Sequence, residues 1–250
     1  MTETPRSTIP LFPLGTVLFP GVLLPLHVFE PRYRALVRRL MASEDRWSRE
    51  FGVVGIRQGW EVGADGARAL YDVGCTAELR QVTPYDDGRF DIISVGRRRF
   101  RLHDVDPWAQ PYLCGSVEWL PESPGDPGEP ELLARSVGEL FLRCRQLLRA
   151  YEPATDGAPA DGEEPEDPPQ PDQPERDRYA LPEDPQLVSH LVATAAPFTL
   201  DDRQSLLAAT NTTDRLRREL RLLKREVTML TRLRAVPVPL AELRVPMGPN

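Results

Sequence analysis

Residues Ile9–Glu30 read IPLFPLGTVLFPGVLLPLHVFE, an apolar stretch interrupted by proline and glycine at short intervals. Proline inside a helix removes a backbone donor and clashes with the preceding turn, so this stretch cannot be one helix. We predict short strands at Val17–Phe19 and Leu23–Leu26, joined by turns. The next pair, Glu30-Pro31, predicts a helix start, because proline is tolerated in the first helical turn. Apolar residues at three- and four-residue steps then predict one buried helix face, formed by Tyr33, Leu36, Val37, Leu40 and Met41.

Residues 51–120 have the pattern of a small, strongly bent sheet. FGVVGI at 51–56 is a short apolar run, typical of a strand buried on both faces. Asp86-Asp87-Gly88 lies between two strand-like segments and predicts a hairpin turn. RRRFRLHDV and YLCGSVEWL add two more strand-like runs. Short strands separated by turn residues predict a bent sheet or barrel.

The pattern becomes helical from Glu129. Two further helices are predicted at Pro185–Ala196 and Thr199–Thr210, the second opened by a capping sequence of Thr199 and Asp202. The helix that begins at Glu129 carries a broad apolar stripe, made of Leu132, Leu133, Val137, Leu140, Phe141, Cys144, Leu147 and Leu148.

A final helix is predicted over residues 213–234. Its apolar residues repeat in a narrow seam of little more than two heptads, made of Leu216, Leu220, Leu223, Val227 and Leu230. Two heptads are marginal as an isolated coiled coil, so packing against the other helices of the same chain is favoured. A dimer through helix 213–234 is the alternative.

Between the helical segments lies an acidic, proline-rich stretch at residues 152–178. It holds ten Asp or Glu against two Arg, a local charge of −8 when the whole chain carries −7. Such a composition buries too little apolar surface to offset the entropy of ordering, so we predict a disordered loop. The remainder of the chain is nearly neutral, and nucleic acid is therefore not the expected partner.

No motif of a known catalytic machinery occurs. Lys224 is the only lysine and no glycine-rich turn precedes it, which excludes a phosphate-binding loop. The histidines and cysteines never approach paired metal-ligand spacing. We predict a protein without enzymatic activity, metal site or cofactor. Because no apolar run is long enough to span a bilayer and no leader pattern opens the chain, we expect a cytoplasmic protein with no membrane contact.

The most basic segment is Gly96–Arg101, with the sequence GRRRFR. Alternation along a strand places Arg97, Arg99 and Arg101 on one face. Arginines on an edge strand block unwanted strand pairing, which is the favoured interpretation. The alternative is contact with RNA by these three residues, because arginine beside an aromatic residue can stack on bases.

The opening stretch resembles the start of the substrate-binding N-terminal domain of Lon-type proteases. There, a Pro-Leu-Phe-Pro opening leads through a Phe-Pro-Gly turn to Phe-Glu-Pro-Arg-Tyr and a helix. A second segment, GRFDIISVGRRRFRL at 88–102, resembles the family's hairpin ending in Gly-x-x-Arg-Phe, here Gly96, Arg99 and Phe100. The resemblance covers residues 8–235. The first motif is carried by Phe12, Pro13, Leu14, Phe19, Pro20, Gly21, Leu26, Phe29, Glu30, Pro31, Arg32 and Tyr33.

The resemblance implies an α+β fold in a stand-alone form without ATPase or peptidase domains. A PUA-like six-stranded β-barrel is expected over 8–122 and an α-helical bundle over 129–235. The disordered acidic segment 152–178 interrupts the bundle, and residues 236–250 form an extended tail.

The family's role is to recognise unfolded or degron-bearing polypeptides and hand them to a protease. We therefore expect a non-catalytic polypeptide-binding module, an adaptor in protein quality control with a protease or chaperone as second partner. RNA binding by a PUA-like domain is the alternative. An apolar groove near the opening is the expected site, although a core position is the favoured interpretation for each of its apolar members. The candidate contacts are Phe12, Leu14, Phe19, Leu23, Glu30, Arg32 and Arg34.

Overall fold

The computed structural model describes residues 6–43, 49–59, 67–125, 127–150 and 181–233. The acidic segment 152–178 and the tail 236–250 lie outside these residues. Six strands and five α-helices occur in the described part of the chain, which confirms the α+β class. In chain order they are β1 (Ser7–Leu14), β2 (Leu23–Val28), α1 (Pro31–Ala42), β3 (Glu50–Gly59), β4 (Ala67–Pro84), β5 (Phe90–Asp106), β6 (Cys114–Trp119), α2 (Glu129–Arg149), α3 (Pro185–Ala195), α4 (Leu200–Leu207) and α5 (Thr212–Thr228).

Five of the six strands pair in a ring. β5 pairs with β4, β4 with β3, β3 with β1, β1 with β6, and β6 again with β5. All of these pairs are antiparallel except β1 with β3. The sixth strand, β2, is attached outside the ring along the first half of β5. We call β1, β3, β4, β5 and β6 the strand ring.

Phe100 of β5 fills the strand ring together with Leu11 and Val117, and all three side chains are fully buried. Gly74 makes room for this ring: a Cβ atom there would lie 2.3 Å from Phe100 Cζ and 2.5 Å from the Val53 carbonyl oxygen. A side chain at this position would displace both strands, since interiors are already close-packed.

Several predicted elements are confirmed. Residues 51–56 of β3 are all buried. The hairpin turn falls where predicted, with Gly88 at φ 81° and its N–H donating to the Tyr85 carbonyl oxygen at 2.9 Å. The first helix begins at Pro31, and Tyr33, Leu36, Val37 and Leu40 form its buried face.

Other predictions for this half were wrong. Val17–Phe19 is not a strand, although its three side chains are buried. The chain turns directly after it, where the Val22 N–H donates to the Phe19 carbonyl oxygen. Met41 lies on the solvent side of α1, 46% exposed, beyond the last turn that faces the sheet. The two strand-like runs on either side of Gly96 are one long strand, β5.

The helices α2, α3 and α5 pack against one another, and the seam of α5 faces this interior. Leu216, Leu223, Val227 and Leu230 are buried within the chain and Leu220 is half-buried, so the seam packs against the other helices. A dimer through helix 213–234 stays a prediction. Thr199 and Asp202 form the predicted capping box of α4. Leu132 was wrongly placed on the buried stripe of α2, since it is 65% exposed. No helix in the described ranges is long and apolar enough to cross a membrane.

Candidate functional site

β2 is an edge strand. Its residues Leu23–Val28 pair antiparallel with Phe90–Val95 of β5, and no other strand among the described residues pairs with it. β2 lies outside the strand ring because it pairs with the first half of β5, whereas the second half of β5 pairs with β6. One side of β2 therefore presents unpaired backbone groups, which are a template for another extended chain.

The direction of these backbone groups follows from the pairing with β5. The Gly96 N–H donates to the Val22 carbonyl oxygen at 2.9 Å, and hydrogen bonding alternates along an antiparallel pair. Leu24 and Leu26 therefore bond to β5, while Leu23, Pro25 and His27 direct their backbone groups outward. Pro25 fits this arrangement because it has no N–H to donate, a residue type that sheets tolerate at edges.

Side chains along β2 alternate in the same way. Leu23, Pro25 and His27 are exposed, whereas Leu24 and Leu26 are half-buried against the main core and Val28 is buried. Leu23 is 64% exposed, which is unusual for a large aliphatic residue on a strand. An apolar residue on an unpaired edge is typical of a surface that pairs with a partner strand.

A small cavity lies beside the end of β2. β6 pairs with β1 only over Ser7–Pro10, so within the described chain the side of Phe12–Leu14 away from β3 has no strand partner. The cavity of about 110 Å³ occupies the gap between this part of β1 and the end of β2. Its walls are mostly apolar and are formed by Phe12, Pro13, Leu14, Leu26, His27, Val28, Phe29, Glu30 and Tyr33.

A polar cluster fixes the end of β2 to the hairpin that carries β5. His27 Nδ1 lies 2.6 Å from Asp91 Oδ1, and the hydroxyl of Tyr85 donates to the same carboxylate. The hydrogen bonds from Tyr85 and then from His27 lower the pKa of Asp91, and in return the bond to Asp91 raises the pKa of Tyr85. These contacts hold the exposed face of the strand in place, and none of them involves its outer edge.

A wider cavity of about 520 Å³ opens where β4 and β5 diverge. It is bordered by residues 69–72 of β4 and 102–105 of β5. Asp72 and Asp104 lie in its wall, so this opening is more polar than the gap between β1 and β2.

Three predicted apolar contacts belong to the core. Phe12 is buried and stacks on Tyr33 with ring centroids 4.0 Å apart, although one side of it borders the small cavity. Leu14 is buried at the same cavity. Phe19 is fully buried, with its ring centroid 6.1 Å from that of His190, and so it is not a surface contact. Of the four predicted apolar contacts, Leu23 alone lies on the surface.

The predicted polar contacts flank the start of α1. Glu30 accepts a hydrogen bond from Arg32 Nε at 3.0 Å, and the Arg32 guanidinium lies over the ring of Tyr33. Arg34 donates to the Asp87 carbonyl oxygen at 3.0 Å, so it braces the β4–β5 hairpin. The structure places Glu30 in the wall of the small cavity, with Arg32 bonded to it, and Arg34 at the hairpin.

The three arginines of the RNA alternative do not lie together on the surface. Arg97 pairs with Glu78 at 3.1 Å, and Arg101 is exposed. Arg99 is 2% exposed and cannot contact RNA. The edge-strand interpretation was also wrong, because this part of β5 lies between β4 and β6.

Leu26 and Phe29 are the site residues that sequence reasoning missed. Phe29 is 46% exposed at the cavity mouth, and Leu26 forms part of its wall. The period-two pattern of β2 assigns Leu26 to the inner face. This inner face borders a gap because β1 and β2 do not pair, and no local sequence pattern predicts that.

Comparisons with known proteins agree with this architecture. Residues 8–225 match the family model of the ATP-dependent protease La (LON) substrate-binding domain. Lon protease 1 of Thermus thermophilus is 26% identical over 229 residues, which are 91% of this chain and 26% of that protein. The Lon protease of Parabacteroides distasonis is 28% identical over 157 residues, 62% of this chain and 18% of that protein.

The chain therefore spans about a quarter or less of the length of these curated relatives. The fold is that of a Lon N-terminal domain protein from Xanthomonas campestris, with a TM-score of 0.55 and 24% identity over 86% of this chain and 98% of that one. By fold and by the match over residues 8–225, the chain belongs to the LON substrate-binding domain family.

Proposed function

We propose that this protein is a non-catalytic cytoplasmic module that binds extended segments of unfolded polypeptide along the unpaired edge of β2. The observation that carries the proposal is the edge itself, with outward backbone groups at Leu23, Pro25 and His27 and an apolar cavity beside it. A segment added to a sheet edge gains main-chain hydrogen bonds whatever its sequence, and pockets for alternate side chains add selectivity. Such binding suits unfolded clients, whose backbone is available.

Family membership supports the same proposal, since the family is defined as a substrate-binding domain. We extend it to an adaptor role, in which the bound client is passed to a protease or chaperone. The near-neutral charge outside the acidic segment and the internal pairing of Arg97 and Arg99 favour polypeptide over RNA.

The test is the affinity for a permanently unfolded protein, such as fluorescein-labelled, reduced and carboxymethylated α-lactalbumin, followed by fluorescence anisotropy. Leu23→Asp places a charge at the edge and should weaken binding roughly 10- to 100-fold, the value of one buried leucine side chain. Leu132→Asp is the matched control, because Leu132 is equally exposed, 65% against 64%, and lies on α2. Equal affinities for the two variants and the unmodified chain would refute the proposed site.

A further inference from the structure

We infer that the cavity between β1 and β2 holds one branched aliphatic side chain of the bound polypeptide and so selects clients by a single apolar anchor. The inference rests on the function proposed above. It adds a preference for valine, leucine or isoleucine at one position of the bound segment.

The size of the cavity sets the class of side chain. Its volume is about 110 Å³. An apolar protein cavity of about 150 Å³ holds one benzene molecule, and one water occupies about 30 Å³. A branched aliphatic side chain therefore fits, an alanine methyl leaves most of the space empty, and an indole is too large.

The position of the cavity makes it accessible to an added strand. In a sheet, residues in register on neighbouring strands direct their side chains to the same face. A client strand paired along Leu23–Pro25 thus directs the residue opposite Leu26 inward, into the gap between β1 and the end of β2 that the cavity occupies. Phe29 lies at the mouth of the cavity, and its ring is half exposed. A bound client would cover this ring.

The electrostatics of the cavity also favour an uncharged anchor. Glu30 is the one carboxylate in its wall, and Arg32 Nη2 lies 2.9 Å from this carboxylate. The imidazole of His27 is bound to Asp91. The Glu30 carboxylate is therefore paired with a cation and the His27 ring is held by Asp91. Burying a charged client residue beside apolar walls is costly.

The experiment uses fluorescein-labelled peptides of serine and threonine with a single varied central residue. This residue is alanine, valine, leucine, phenylalanine, tryptophan or aspartate, and affinity is measured on the full chain. Valine and leucine should bind tightest, with alanine roughly 10- to 100-fold weaker, since three buried carbons are lost from leucine. Tryptophan and aspartate should bind more weakly than leucine.

Phe29→Ala provides the reciprocal test. Removing this half-exposed ring widens the mouth and should shift the preference from leucine toward phenylalanine and tryptophan. Met41→Ala is the matched control, because Met41 is also 46% exposed and does not line the cavity. It should leave the order of affinities unchanged.

The outcomes separate the anchor from the proposed function. Equal affinity for all the peptides, or affinity that rises with size up to tryptophan, would overturn the anchor, as would peptides that fail to bind while unfolded α-lactalbumin does. In each of these cases Leu23→Asp would still weaken binding of the unfolded protein, and the edge site would stand. If the unfolded protein itself does not bind, the proposed function fails.

Discussion

The guanidinium of Arg99 on β5 donates through Nε to the carboxylate of Glu122, which lies on the connection between β6 and α2. Through Nη1 it also donates to the Leu207 and Ala209 carbonyl oxygens at the end of α4, each at 2.7 Å. Arg215 of α5 reaches the same carboxylate at 3.5 Å. Two buried cations and one carboxylate thus join the strand ring to the helices.

Replacing Arg99 with methionine should destabilise the protein by about 3–5 kcal/mol, because Glu122 loses the closer of its two cations and two helix-end carbonyl oxygens lose their donor. Urea unfolding followed by circular dichroism measures this change. Arg101→Met is the control two residues along the same strand, where the side chain is exposed, and should cost about 1 kcal/mol or less. Equal losses for the two variants would contradict a structural role for Arg99.

His190 makes the fold sensitive to acid. Burial, together with the neighbouring cations Arg215 and Arg99, lowers its pKa to about 2 from an ordinary 6.5. Between these values the unfolded chain binds a proton that the folded chain does not, so stability falls as the pH drops below 6.5. From pH 7.5 to 4.5 this group should cost about 2–3 kcal/mol.

His190→Leu should reduce that loss. The measurement is the urea midpoint at pH 7.5 and 4.5 for both proteins. If the unmodified chain and the variant lose the same stability between these pH values, the histidine is not buried in its neutral form.

Glu219 has the opposite pH dependence. Its carboxyl is fully buried on α5 with no hydrogen-bond partner among the described residues, and burial raises its pKa well above the ordinary value of 4.5. A raised folded-state pKa stabilises the fold below 4.5, and this contribution is lost as the pH rises through the folded value.

Glu219→Gln keeps the shape and removes the ionisation. The variant should gain stability relative to the unmodified chain at pH 8 but not at pH 4. Thermal unfolding at the two pH values tests this, and a gain that is the same at both would contradict a neutral buried carboxyl.

The local sequence patterns predicted the individual helices and turns better than they predicted which parts of the chain pack together. The helix start at Pro31 and the hairpin at Gly88 were predictable because each depends on a few adjacent residues. The burial of Arg99 was not predictable, because arginine usually lies at the surface. Its partners, the carbonyl oxygens of Leu207 and Ala209, are over a hundred residues away along the chain. Side-chain type alone cannot report a partner that the fold supplies.

The candidate site shows the same limit. Leu23 was predicted as a contact and is exposed, while Phe12, Leu14 and Phe19 have the same apolar character and are buried. The difference arises from the position of β2 outside the strand ring, which depends on where the long strand β5 changes partner from β2 to β6. This change falls between Val95 and Phe100 and includes Gly96, where a Cβ atom would meet the Phe19 carbonyl oxygen at 2.1 Å.

Hydrogen–deuterium exchange of single backbone amides, read by NMR with and without saturating unfolded α-lactalbumin, tests the edge of β2 most directly. The outward N–H groups of Leu23 and His27 should exchange about tenfold more slowly or more when a client strand accepts their hydrogen bonds. The N–H groups of Leu24 and Leu26, already bonded to β5, should change little. Unchanged exchange at Leu23 and His27, or protection confined to the β4–β5 opening at residues 69–72, would contradict binding at this edge.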